Sequence, residues 1–217
     1  MDGASIYDLL ETEKVNFSAA VPTVWLMLLQ YLEAEKKQLS TLRNVMIGGS
    51  AVPRTIVERF DKQYNVKVMH GWGMTEMSPL GTFAAFKPGM SDLPEEEQMK
   101  FKLKQGRAPY MVEMKILDDA GKEIPRDGKT FGHLVVRGAA IAKGYFKGEG
   151  GQILDKDGFF DTGDVATIDE RGFMQITDRS KDVIKSGGEW ISSIEIENIA
   201  VGHASVQEAA VIGIVHP

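Results

Sequence analysis

Three short apolar runs, each followed at once by a helix opener or a glycine loop, constrain this chain most. Val15 to Val21 precedes PTVWLMLLQYL, Asn44 to Ile47 precedes GGSAVP, and Val66 to Met69 precedes GWGMTE. Pro22 opens a helix through about Lys37, with Val24, Trp25, Leu28 and Leu32 on one face. Pro53 opens another, with Ile56, Val57, Phe60 and Tyr64 inward. Strand, helix, strand, helix, strand at these spacings predicts a parallel sheet with helical crossovers. Upstream, Ser5-Ile6-Tyr7-Asp8 has the form of a capping box before apolar Ile6, Leu9 and Leu10.

That topology says where a ligand would go. In open α/β sheets, ligands sit beyond the carboxyl ends of the strands. Gly48-Gly49-Ser50-Ala51-Val52-Pro53 and Gly71-Trp72-Gly73-Met74-Thr75-Glu76 both follow strands directly, so they are expected on one edge of the sheet. Glycines there let a ligand approach the backbone. Either loop alone reads equally well as a tight turn.

After about Gly106 the pattern changes. Glu113 to Leu117, Gly132 to Arg137 and Val165 to Ile168 alternate or run apolar, with turns at Asp118-Asp119-Ala120-Gly121 and Asp169-Glu170-Arg171-Gly172, which predicts antiparallel hairpins. A further change at Asp178 leads to Ser192-Ser193-Ile194-Glu195, a helix start, and to a strand-like run from Val206 to Val215. The expected class is α/β. A parallel α/β part (1–105) is followed by an antiparallel β subdomain (106–177) and the hinge and start of a small α+β domain (178–217). Met1 leads straight into a helical pattern and the chain stops just after the last apolar run, so it reads as a fragment of a longer protein.

Composition removes several function classes. With 43% hydrophobic and 26% charged residues the chain can bury a core. A net charge of −6 argues against nucleic acid as a partner. Lys100, Lys102 and Lys104 follow Glu95-Glu96-Glu97, which reads as a solvated helix rather than a basic patch. The absence of cysteine removes disulfides, thiolate nucleophiles and Cys-based zinc sites, and fits a reducing, cytoplasmic setting. No signal peptide is recognisable, and the apolar run from Ala19 to Leu29 is too short to span a bilayer.

Several motif matches fail. Gly128-Lys129-Thr130 lacks the upstream glycine of a P-loop, because Glu123 stands there. Gly71 to Glu76 is not a dinucleotide fingerprint, Asn16-Phe17-Ser18 falls in a buried-strand pattern, and His70, His133, His203 and His216 have no metal spacing. There is no nucleophile elbow. Polar residues at expected loop positions remain. They are Thr75 and Glu76, then Asp161-Thr162-Gly163-Asp164, then Asp178-Arg179-Ser180-Lys181-Asp182 leading to Lys185-Ser186-Gly187-Gly188-Glu189-Trp190. A hydroxyl beside a carboxylate suits an anionic group with Mg²⁺. A carboxylate such as Asp164 can accept from two ribose hydroxyls, and Trp72 offers a flat face to a base. Taken singly, each acid reads more readily as a surface ion pair.

Taken together, GGSAVP, GWGMTE, GHLVVRG with Lys143-Gly144-Tyr145-Phe146, GFFDTGDVA and ITDRSKDVIKSGGEWIS resemble the core motifs of the adenylate-forming superfamily, in order and over nearly the whole chain. SGGEWIS and VPTVW most resemble the medium- and long-chain fatty acyl-CoA synthetases. The resemblance implies an acid–CoA ligase fold whose substrates are a fatty acid, ATP and coenzyme A, with Mg²⁺. It implies Trp72 stacked on the adenine, Gly73 and Met74 among the cofactor-binding residues, and Gly49, Ser50 and Ala51 lining the adenine and acyl end. Thr75 would contact the α-phosphate and Glu76 would hold the metal. Asp164 would bind the ribose hydroxyls, with Arg179 beside it, and Ile176 is a further cofactor-binding position. Lys181 stands at the hinge of the small lid domain, Lys185 and Trp190 match nucleotide-contacting positions, and Gly187 and Gly188 match the loop lining the pantetheine tunnel. Thr75, Glu76, Lys181 and Lys185 are the expected catalytic set.

The chain departs from the family pattern in two places. It lacks the Ser/Thr/Gly-rich phosphate loop and the C-terminal lysine that favours adenylation. These residues alone are therefore expected to bind adenylate weakly or not at all, and not to catalyse the first step. Val21, Val24, Trp25, Gly73, Met74 and Leu80 are apolar acyl-pocket candidates. Val24 and Trp25 read slightly better as a helix core face. An aryl, short-chain or methylthiopropionate substrate stays open, as does a non-catalytic binding module. Homodimers occur in the family, so a homodimer is a further expectation.

Overall fold

The computed structural model describes residues 2–180, 184–186, 189–201, 203, 205–206 and 209–214, without the side chains of 185, 186, 189, 190 and 198. Two compact units emerge: Met1–Trp72 with Phe83–Leu103, and Gly73–Thr82 with Lys104–Pro217.

The first unit begins with α1 (Gly3–Thr12). Its cap is Asp2, whose Oδ1 accepts from Ser5 N at 2.8 Å. The capping box expected at Ser5 thus lies one turn inside the helix, because the carboxylate at 2 already satisfies the amide of 5. β1 (Phe17–Ala20), β2 (Asn44–Ile47) and β3 (Lys67–Gly73) pair in parallel, with Phe17 opposite Asn44 and Asn44 opposite Lys67. The sheet order is β1-β2-β3-β4, with β4 at Leu80–Phe83. β1 is an edge strand, and Phe17 is 46% exposed, so the run read as a buried strand is only half covered.

α2 (Pro22–Ala34) and α3 (Arg54–Tyr64) are the crossovers. Trp25, Leu28, Leu32, Ile56 and Phe60 are buried, while Val24 is only partly so. The Trp25 and Phe60 rings meet edge to face at 5.7 Å. α4 (Glu95–Leu103) has the predicted acid-first, base-last order. It is pinned to α3 by Arg54–Glu96, Lys62–Glu95 and Lys102–Asp61. β3 runs through Gly71 and Gly73 instead of closing before them, because both glycines stay extended in the ladder.

The second unit holds an antiparallel meander, β5 (Val112–Leu117), β6 (Gly132–Gly138), β7 (Phe160–Ile168) and β8 (Met174–Arg179), in that order. Buried residues of this unit include Ile116, Leu134, Val165, Phe173 and Met174. A short hairpin, β9 (Ile184–Ser186) with β10 (Glu189–Ile191), leads to α5 (Ser193–Val201). Ser192 Oγ accepts from Glu195 N at 3.1 Å and donates to Thr177 O at 2.8 Å, so the helix start read from the sequence is a working cap. The strand expected from Val206 is not formed among the described residues, since Val206 and 209–214 pair with nothing in a ladder. No helix among the described residues is long and apolar enough to cross a membrane.

Candidate functional site

In the first unit the parallel register sets Ile47 opposite His70, so the chain leaving β2 runs alongside the end of β3. A Cβ at Gly48 would stand 3.0 Å from Gly71 O, so a side chain there would push the strands apart. Gly49 has φ +87, in the left-handed region that glycine tolerates. Gly49 and Ser50 are exposed, Ala51 is half-buried, and Trp72 is buried.

His70, which lacks metal spacing in the sequence, has a structural role instead. Its ring is buried, and Nδ1 donates to Leu103 O at 2.9 Å. Burial pushes its pKa below the ordinary value, against hydrogen bonds to the Leu103 and Ser50 backbone that favour the charged form. The imidazole therefore ties the loop after β2 to the end of α4. The signal was the alternation Val66, Val68, His70, which places the histidine on the inward face.

In the second unit Thr75–Met77 form a single 3₁₀ turn. A Cβ at Gly73 would fall 1.8 Å from Pro79 O, so the chain doubles back there against a bare backbone. Met74 is half-buried and Thr75 exposed. Glu76 is held twice. Its carbonyl accepts from Ala142 N at 2.7 Å, and its Oε1 accepts from the Tyr145 hydroxyl at 2.7 Å. The Tyr145 hydrogen bond, with one from its own backbone, holds the Glu76 carboxyl below the usual range, so it is ionised at neutral pH.

Asp161-Thr162-Gly163-Asp164 lie inside β7, not in a loop. The strand accommodates them because Gly163 sits at φ +69 and the ladder slips between Val165 and Ala166. The buried Thr162 hydroxyl donates to Leu134 O at 2.8 Å and accepts from Asp164 N at 3.1 Å. Asp164 is 3% exposed, and Arg179 Nη1 lies 3.0 Å from its Oδ1. Ile176, half-buried on β8, donates its N–H to Gln105 Oε1 at 2.8 Å.

Two groupings therefore form within this unit: Thr75 and Glu76 with Tyr145, and Asp164 with Thr162 and Arg179. Lys185 and Trp190 face each other across the β9–β10 hairpin. Their side chains lie outside what the structure describes, as do Lys181, Gly187 and Gly188.

Among the described residues no group of three His, Cys, Asp or Glu could hold a metal ion. Glu76 brings one ionised carboxylate with one oxygen already engaged by a phenol. That donor set fits Mg²⁺ delivered on phosphate oxygens, which needs only one or two carboxylates, and does not fit a resident all-protein cage.

The family model for AMP-binding enzyme matches residues 1–146. The chain is 47% identical over 217 residues to the 3-methylmercaptopropionyl-CoA ligase of Ruegeria lacuscaerulensis, covering all of this chain and 40% of that protein. It is 45% identical to the long-chain-fatty-acid–CoA ligase of Thermus thermophilus, again over the whole chain and 40% of the relative. The fold is similar to that of the o-succinylbenzoate coenzyme A synthetase of Bacillus subtilis, solved with ATP and magnesium ion, with a TM-score of 0.81 and 26% identity. That match covers 99% of this chain and 42% of the synthetase. The chain thus spans about 40% of the length of the curated relatives it matches.

Proposed function

Because this chain belongs to the AMP-binding enzyme family, we propose that it forms the nucleotide end of an acid–CoA ligase. In the reaction a carboxylate attacks the α-phosphate of ATP, giving acyl-AMP and pyrophosphate. The thiolate of coenzyme A then attacks the acyl carbon and AMP leaves. Such chemistry asks for positioned charge more than for covalent participation by side chains.

The observation that carries the reading is Asp164, a buried carboxylate held in register opposite Arg179. A fixed acceptor of this kind suits the paired hydroxyls of a ribose. Arg179 acts beside Asp164, Trp72 stacks on the adenine, Gly49, Ser50 and Ala51 serve the adenine and acyl end, and Gly73, Met74 and Ile176 are further cofactor-binding positions. Thr75 contacts the α-phosphate and Glu76 the Mg²⁺ that arrives with ATP. Lys181 and Lys185 act from the hinge and from β9, Trp190 contacts the nucleotide, and Gly187 and Gly188 line the path of pantetheine. Residues from 178 onward, with the β9–β10 hairpin and α5, begin the lid domain.

The acid is an alkanoate or a thioether acid of similar shape. Relatives named for 3-methylmercaptopropionyl and for long-chain acyl groups stand within two percentage points of each other in identity, 47% and 45%, so identity does not rank them. Residues 1–217 hold no Ser/Thr/Gly-rich phosphate loop. These residues alone are expected to bind adenylate weakly or not at all, and to release no pyrophosphate from ATP and acid.

The test is calorimetric titration of the folded chain with a non-hydrolysable alkanoyl-sulfamoyl adenosine. Binding that Asp164→Ala abolishes is the expected result. Binding that survives Asp164→Ala overturns the reading; no binding by a chain shown to be folded means that the phosphate loop is needed to build the site. Competition between octanoyl and 3-methylthiopropanoyl analogues then ranks the acids.

A further inference from the structure

The turn that carries Glu76 is latched by a loop more than sixty residues away in sequence. Ala142 N donates to Glu76 O at 2.7 Å, and Ser78 Oγ donates to Ala140 O at 3.1 Å. These two bonds fix where the backbone of the turn sits. They leave the Glu76 side chain its own rotatable bonds. A third bond, from the Tyr145 hydroxyl to Glu76 Oε1 at 2.7 Å, fixes the direction of the carboxylate.

The chemistry of that partner matters. A phenol donates one hydrogen bond and carries no charge, so the carboxylate keeps its full negative charge and its second oxygen for a cation. A lysine or arginine in the same place would compete with the metal for that charge. The tyrosine is itself positioned. Gly150, at φ +74, folds against the ring, and a Cβ at 150 would stand 3.3 Å from Tyr145 Cδ2.

We propose that Tyr145 is a positioning residue for Glu76, setting the carboxylate in advance for the Mg²⁺ that a nucleotide carries. Tyr145 then governs how strongly Mg²⁺ improves nucleotide binding and leaves metal-free binding alone. The inference rests on the reading that Glu76 holds that metal. Freedom removed beforehand is freedom that binding does not have to remove, which is the general basis of preorganisation.

The test uses the whole chain in five forms: wild type, Tyr145→Phe, Glu76→Gln, the Tyr145→Phe/Glu76→Gln double variant and Asp164→Ala. Each is titrated with α,β-methylene-ATP with and without Mg²⁺. Tyr145→Phe is expected to weaken the Mg²⁺-bound nucleotide about five-fold, the loss of one net hydrogen bond, with metal-free affinity unchanged. In the Glu76→Gln background the same change should have no further effect, which a merely structural role would not produce. The chain is also labelled with 3-fluorotyrosine, the Tyr145 signal being the one absent from Tyr145→Phe. Glu76→Gln should move that fluorine signal with no nucleotide present.

Equal losses with and without metal, a loss that persists in the Glu76→Gln background, or an unmoved fluorine signal overturns the proposal. If binding remains sensitive to Asp164→Ala while Mg²⁺ brings no gain, the positioning role falls and the nucleotide site stands. If no form binds nucleotide the positioning role falls, and if nucleotide binds without depending on Asp164 both fall.

Discussion

Arg179 reaches Asp164 across the β7–β8 ladder, Nη1 to Oδ1 at 3.0 Å, from the residue directly opposite it in register. The two ends of this pair meet different surroundings. The Asp164 side chain is 4% exposed and that of Arg179 is 55% exposed. Water can therefore replace much of what the guanidinium supplies, and the pair is worth less than a fully buried one. Arg179→Ala should cost about 1 kcal/mol in urea unfolding. Asp164→Asn keeps the volume but replaces a charged acceptor with an amide, and should remove adenylate-analogue binding while leaving the fold intact. Circular dichroism and calorimetry on the same samples check both outcomes.

Trp25 anchors the first unit. It is 1% exposed, stacks edge-on against Phe60, and its Nε1 donates to Ala20 O at 3.2 Å and Met46 O at 3.3 Å. The indole thus joins the carboxyl ends of β1 and β2 from beneath. Trp25→Phe should lose the shared donor and leave a partial cavity, costing about 2 kcal/mol, and Trp25→Ala about 3–5 kcal/mol. A denaturant midpoint that does not move in Trp25→Ala would show that the helix face is not a core face.

The parallel half of the fold was readable because its signals are local. Asn44 to Ile47 is a strand with the predicted ends, and Pro22 and Pro53 mark the starts of α2 and α3. The antiparallel half was harder where punctuation residues stand inside strands. Asp161, Gly163 and Asp164 read as a loop, yet the bulged ladder and the twice-bonded Thr162 hydroxyl keep Phe160–Ile168 one strand. β8 was missed for the same reason, since its charged end, Asp178-Arg179, looks like a turn until Asp178 is seen to cap Arg179 N and Ser193 N. At the candidate site, Thr75, Glu76 and Asp164 stand out by residue type and spacing. Tyr145 did not, because its partner lies 69 positions away and no periodicity connects them. His70 was visible as an inward position of β3 but was weighed only as a metal ligand.

His70 gives the chain a pH dependence with a definite sign. Burial holds its folded-state pKa below the ordinary 6.5. The unfolded chain then takes up a proton that the folded chain refuses. The stability is fully present above pH 6.5, and it falls as the pH drops toward the folded-state value. The slope for one proton reaches at most about 1.4 kcal/mol per pH unit. His70→Gln removes the titrating group and can still donate to Leu103 O. Its unfolding free energy should change less than that of the wild type between about pH 6.5 and about pH 5.5. Taking the difference cancels the other histidines, and parallel curves for the two proteins would exclude a buried neutral imidazole.

Gly73 offers the sharpest test of how the turn bearing Thr75 and Glu76 is made. A Cβ there would lie 1.8 Å from Pro79 O and 2.8 Å from Pro79 C, both backbone atoms that no rotamer change can move aside. Gly73→Ala must therefore displace the 73–79 turn or the segment returning beside it. Overpacking of this kind costs about 1–3 kcal/mol or more. The displacement should carry Glu76 away from the Tyr145 hydroxyl, so adenylate-analogue binding should fall further than stability alone would explain. Gly144→Ala is the control. A Cβ at 144 meets nothing within 4 Å, so it should change neither the melting temperature nor binding, although it sits one residue from Tyr145. If the two alanine variants melt and bind alike, the close approach of Gly73 to Pro79 is not what shapes the turn.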